Sequence, residues 1–202
     1  MRPGRTVIVF ARAPRIGRVK RRLARDVGAV AAWRLYRDWL ARVLRALGGD
    51  RRWRLVVAVT PDHVRRPLRG VAVTGQGKGD LGRRMARALD RAPPGPAVVV
   101  GSDIPELRAR HVAAAFQALR RSDVVVGPAG DGGFWLIGRR HRLRRLPPFA
   151  GVRWSTRHAL EDTLRCLPPE VSVGRADRLD DVDDGASLRA WRRRGNRGNV
   201  PA

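Results

Sequence analysis

Short apolar runs alternate along this chain with stretches whose apolar residues recur every three or four positions. Residues 6–10 (TVIVF), 54–60 (RLVVAVT), 97–101 (AVVVG) and 123–127 (DVVVG) are β-branched and nearly continuous in hydrophobicity, the pattern of strands buried on both faces. Residues 71–73, 134–137 (FWLI) and 171–173 predict three further short strands. Between 19 and 47, Leu23, Val27, Val30, Leu35, Trp39, Val43 and Leu47 fall at helical spacing. Gly28 divides that stretch into two predicted helices, and Gly48 and Gly49 stop the second. Helices are also predicted over 80–91, with Asp80 as N-cap, over 106–119, over 155–167, capped by Ser155 or Thr156, and over 184–193. Strands alternating with helices imply βαβ units, an α/β fold and a mostly parallel sheet covered on both faces. The expectation is a single domain over residues 1–194 with a flexible tail at 195–202. In such sheets ligands sit beyond the carboxyl ends of the strands.

Composition alters this picture little. Of 202 residues, 43% are hydrophobic and 30% charged, as expected for a globular chain. No apolar run approaches the length needed to span a bilayer, and the N-terminus lacks the features of a signal peptide, so no membrane partner is expected and a cytoplasmic location is the default. The one cysteine, Cys166, excludes an internal disulfide and reads as a small core residue. The formal charge of +25 raises nucleic-acid binding as a reading from another class. Yet all but two of the 43 basic residues are arginine, and they are spread along the whole chain rather than gathered in one arm. That argues for a broadly basic surface, one that attracts polyphosphates generally.

Five segments carry candidate chemistry. The loop from Ala11 through Gly17 to Lys20 and Arg22 leads into a helix, where backbone N–H groups and cationic side chains can hold phosphates. It lacks the spacing of a Walker loop. Asp103 follows the apolar run at 97–101, a place for a Mg²⁺ or Mn²⁺ ligand or for a helix cap. Asp131, Gly132 and Gly133 lie in a turn that permits close backbone approach, or form an ordinary Asp-Gly hairpin. Asp180, Asp181, Asp183 and Asp184 gather four carboxylates within five positions of a chain that has only 18 acidic residues. One or two of them can complete a metal site, or the group can serve as a helix cap. The run Trp154-Ser155-Thr156 reads as a helix cap behind a core tryptophan. His63, His111, His141 and His158 have no metal or triad spacing.

In order, VIVFARAPRIGRVKRRLA, GQGKGDLGRRM, VVVGSDIPEL, DVVVGPAGDGGFWLIG, VRWST and LDDVDD resemble the DUF2064 proteins, over about residues 5–190. That family is often labelled glycosyltransferase, including members associated with radical-SAM and arsenosugar loci. The resemblance implies a GT-A, Rossmann-like, nucleotide-diphospho-sugar transferase fold and a metal-dependent transferase. The donor would be a nucleotide or nucleotide sugar, and the acceptor a small molecule. Glycosyl transfer comes first; nucleotidyl transfer, as in related guanylyltransferases, is the alternative. A homodimer is compatible with either. By the same resemblance Lys20 and Arg22 hold phosphates, Ala11 and Gly17 shape their loop, and Gly77, Asp80, Leu81 and Gly82 lie by the nucleobase. Asp103 and Asp183 take Mg²⁺ or Mn²⁺, and Asp131, Gly132 and Gly133 lie by the acceptor. Three departures from the family pattern stand out: Arg21 where Thr is usual, Arg83 where an acidic residue is usual, and Ser187 where a second late Asp is usual.

Overall fold

A computed structural model describes residues 4–62, 71–140, 143 and 149–197. Two of the histidines named above, His63 and His141, lie outside the described residues. In chain order the elements are β1 (Thr6–Arg12), α1 (Arg21–Val27), α2 (Ala29–Gly48), β2 (Arg54–Thr60), β3 (Ala72–Gly75), α3 (Leu81–Asp90) and β4 (Ala97–Gly101). They continue as α4 (Ala109–Ala118), β5 (Val124–Pro128), β6 (Phe134–Arg139), α5 (Ala159–Arg165), β7 (Val173–Arg175) and α6 (Gly185–Arg197). The strands form one sheet in the order β3-β2-β1-β4-β6-β5-β7. Every pairing is parallel except those of β6, which runs antiparallel between β4 and β5.

Alternation along the central strands fills a core on each face. Val7, Val9 and Ala11 point to one side with Val57, Val98 and Val100, where Leu40, Val43 and Leu47 of α2 and Val112, Ala115 and Phe116 of α4 cover them. Ile8, Val99, Val126 and Ile137 point to the other, against Met85, Ala86 and Leu89 of α3 and the segment before α5. The result is three layers. Each fully buried Val or Leu contributes about 1.5–3 kcal/mol relative to exposure. The chain switches direction in β6 without a glycine-free strand: a Cβ on Gly138 would lie 2.5 Å from Val98, so only glycine fits between β4 and β5 there.

Two expectations are corrected. The helix after Trp154 starts at Ala159, not at 155. Ser155 adopts a left-handed φ of 62°, and the Thr156 hydroxyl donates to Arg153 O while accepting from His158 N–H, closing a turn ahead of the helix. The last helix runs to Arg197, four residues past its predicted end, while residues 198–202 of the expected tail lie outside the described residues. No helix among the described residues is long and apolar enough to cross a membrane.

Candidate functional site

The parallel strands β1, β2, β3 and β4 all end at one edge of the sheet, and the loops leaving them converge there. The late acidic segment joins them. It is held by backbone bonds from Ala176 N–H to Val126 O (2.8 Å), Leu179 N–H to Pro128 O (3.2 Å) and Val182 N–H to Asp103 O (3.4 Å). Val182 is buried against Leu23, Trp39 and Leu188, and its two neighbours Asp181 and Asp183 are brought to Asp103. One carboxylate oxygen from each of these three aspartates lies within 4.8 Å of the others.

Lys20 stands among them. It has a left-handed backbone (φ 46°), its side chain is only 5% exposed, and Nζ lies 2.5 Å from both Asp103 Oδ2 and Asp183 Oδ1. Burial opposes its charge, but Asp103 and Asp183 outweigh burial and hold its pKa above the ordinary lysine value. Burial, then the charges of Asp183 and Asp103, push Asp181 up to about 7, against the opposing pull of Lys20. Three hard oxygen donors converging on one point fit a divalent cation such as Mg²⁺ or Mn²⁺.

Two cavities meet at these carboxylates, and both are lined by Asp103, Asp181 and Asp183. The larger, about 760 Å³, is basic: Arg12, Arg18, Arg21, Arg22 and Arg84 line it beside Lys20. Its wall is braced from within. The Tyr36 hydroxyl donates to Arg12 O (2.9 Å), accepts from Arg12 N–H (2.8 Å) and lies 3.2 Å from Ser102 Oγ, locking the end of β1 to that of β4. Buried Gln76 donates from Nε2 to Ala11 O and Ala58 O, and its Oε1 accepts from Arg84 at 2.8 Å. The smaller cavity, about 360 Å³, is lined chiefly by apolar and aromatic side chains, with Asp131 as a further carboxylate.

The anticipated site residues separate into two groups. Ala11, Lys20, Arg22, Asp80, Leu81, Asp103, Asp131, Gly133 and Asp183 line one or both cavities. Gly17, Gly77, Gly82 and Gly132 are not among the lining residues; Gly17, Gly77 and Gly132 adopt positive φ, while Gly82 is buried within α3. Gly132 (φ +84°) is the clearest case, because a Cβ there would lie 2.1 Å from Arg157 O. Asp131 sits in a true β5–β6 hairpin, with Ala129 N–H donating to Gly133 O, and its own Oδ1 accepts from Gly133 N–H. Asp80 caps α3 through Arg83 N–H, so its carboxylate is committed. The four late aspartates divide the work: Asp180 accepts from Gly130 N–H, Asp184 caps α6 reciprocally with Ser187, and Asp181 joins Asp183 in the cluster. Asp181 was read from sequence only as one of four late carboxylates, of which one or two could complete a metal site; Arg12, Arg18, Tyr36, Gln76 and Arg84 were given no role. An i, i+2 pair of aspartates around a buried valine was the available signal for Asp181.

Residues 43–156 match the family DUF2064, described as an uncharacterized protein conserved in bacteria. The chain belongs to the DUF2064 family. This DUF2064 protein is similar to a Desulfovibrio desulfuricans G20 protein assigned to the nucleotide-diphospho-sugar transferases, at 28% identity and TM-score 0.86, over 96% of this chain and 88% of that one. More distant structures share the fold alone. Mycobacterium tuberculosis Rv0371c in complex with manganese gives 16% identity and TM-score 0.54, over 93% and 97% of the two chains. A CMP:2-keto-3-deoxy-manno-octonic acid synthetase complexed with CTP gives 14% identity and TM-score 0.56, over 96% and 99%. No curated protein matches the DUF2064 chain. The fold class read from the sequence is borne out, and the neighbours named by activity include a nucleotide-diphospho-sugar transferase and a cytidylyltransferase.

Proposed function

We propose that this protein is a metal-dependent glycosyltransferase that moves a sugar from a nucleotide-sugar donor to a small-molecule acceptor. The observation that carries the reading is the position of Asp103, Asp181 and Asp183 between a basic cavity and an apolar one. The basic cavity suits the nucleotide: Arg12, Arg18 and Arg22 face its phosphates, and Arg84 and Leu81 lie at the start of α3, where the base would rest. When bound, Mg²⁺ or Mn²⁺ would neutralise charge on the leaving diphosphate. The ammonium of Lys20, already held at the same carboxylates, supplies further positive charge there. Asp131 takes the proton of an acceptor hydroxyl. The hydroxyl oxygen bonds to the sugar's anomeric carbon, the bond from that carbon to the diphosphate oxygen breaks, and its electron pair leaves with the nucleoside diphosphate. The named transferase relative and the manganese complex of a shared fold support this reading.

A second reading, nucleotidyl transfer with release of pyrophosphate, is favoured by the number of arginines on the donor side, which suits a triphosphate. Product analysis separates the two. Incubation with nucleotide sugars or NTPs and Mn²⁺ yields nucleoside diphosphate under the first reading and pyrophosphate under the second. If neither product forms with any donor, with or without added acceptors, the catalytic reading fails. Nucleic-acid binding by the arginine surface, the reading from another class, predicts salt-sensitive binding that survives Asp103→Asn.

A further inference from the structure

We infer that the smaller cavity is the acceptor subsite and that it selects an uncharged molecule with an aromatic or hydrocarbon body and a free hydroxyl, rejecting phosphorylated acceptors. Calling it an acceptor subsite rests on the transferase reading, while its ligand chemistry rests on its own walls. Leu81 and Met85 of α3, Val99 of β4, and Phe134 and Ile137 of β6 form an apolar interior. Trp154 closes one side and meets Phe134 edge to face, with ring centroids 6.3 Å apart and planes at 70°. At about 360 Å³ the space is in the range that encloses a small ring system.

The charges at its mouth set the selectivity. Asp131 joins Asp103, Asp181 and Asp183, and Arg22, shared with the donor cavity, is the one cation among the described lining residues. The donor cavity presents five arginines and Lys20. Lys20 is already committed to Asp103 and Asp183, and a donor's diphosphate would take up the positive charge of a cation at the three carboxylates. A phosphate entering the smaller cavity would therefore face Asp131 and Asp181 beside the already paired Asp103 and Asp183, with Arg22 as the one cation to meet it. That is a repulsive element set against a competitor that shares the same body. A hydroxyl brought to the mouth instead meets Asp131, which accepts its hydrogen bond.

Two probes with one body isolate the charge: 2-naphthol and 2-naphthyl phosphate, titrated calorimetrically into the full chain at about 0.15 M salt to screen the general attraction of a basic protein for anions. The expected result is at least tenfold tighter binding of 2-naphthol, lost by fivefold or more in Phe134→Ala. Asp131→Asn, on an exposed turn and so independent of core packing, narrows the gap between the probes at least threefold. Phosphate binding as tight as naphthol at a Phe134-dependent site overturns the inference, as does failure of both probes to bind. Nucleotide with Mn²⁺ is titrated into the same preparation. Naphthol bound without nucleotide binding defeats the transferase reading and spares the cavity, and the reverse outcome defeats the cavity and spares the transferase.

Discussion

The two cavities that meet at Asp103, Asp181 and Asp183 are built from the same sheet edge and have opposite chemistry. The donor side comes from the loops after β1 and β3 and presents a row of arginines, two of which, Arg12 and Arg84, are held by the buried polar groups of Tyr36 and Gln76. The acceptor side comes from β4, the β5–β6 hairpin and the turn before α5, and presents rings and aliphatic groups behind carboxylates. A chain with net charge +25 has thus placed four of its 18 acidic residues at one spot. The comparison shows why overall charge is a poor guide to function here. It describes the surface at large, whereas the site depends on a local division between the polyanion's half and the neutral partner's half.

Substitution at the shared carboxylates has the largest expected effect, since they join the two halves. Asp103→Asn and Asp181→Asn are each expected to lower metal-dependent turnover by about 10²-fold or more, because both halves lose the charge that joins them. Steady-state rates with saturating Mn²⁺ and donor check this. Next comes Lys20→Met. Breaking a buried ion pair costs about 3–5 kcal/mol, but Asp103 and Asp183 are 28% and 42% exposed, so a loss of about 1–3 kcal/mol is expected. Denaturant unfolding measures it, and Mn²⁺ should recover part of the loss by replacing the missing charge. Arg12→Gln sharpens the contrast between halves. It should weaken nucleotide binding by about 1.5–3 kcal/mol, the range for hydrogen bonds to charged groups, and leave 2-naphthol binding unchanged. The smallest effect concerns the anchor of the Trp154 turn. Arg153 hydrogen bonds, from side chain and backbone, hold Asp162 well below the usual carboxylate range. A depressed pKa in the folded state contributes stability above about pH 4, near the unfolded value, and that stability fades as pH falls further. Melting temperatures between pH 2 and 7 should show this fall in the native chain and a shallower one in Asp162→Asn.

How much of this was legible in sequence differs between the halves. β2 and β4 match their predicted bounds, because central strands buried on both faces read as unbroken apolar runs. The direction of β6 was legible only through the Asp-Gly hairpin reading of the turn before it, since FWLIGR itself is apolar whichever way it runs. Asp103 and Asp183 were found because each lies in a recognisable segment. The place of Lys20 between them was not, because it joins residues 163 apart in sequence. The donor-side residues Arg12, Arg18 and Arg84 were hidden among 43 basic residues. Ser155 and Thr156 were misplaced because a residue in the left-handed region and a local hydroxyl turn mimic a cap in sequence while delaying the helix in space.

The most direct test of the account is nucleotide binding with and without Mn²⁺, measured for the native chain and Asp103→Asn against tripolyphosphate at matched ionic strength. One nucleotide type is expected to bind well beyond tripolyphosphate, only with Mn²⁺, and to lose that binding in Asp103→Asn. Equal binding of every polyanion, indifferent to Mn²⁺ and to that substitution, would contradict it.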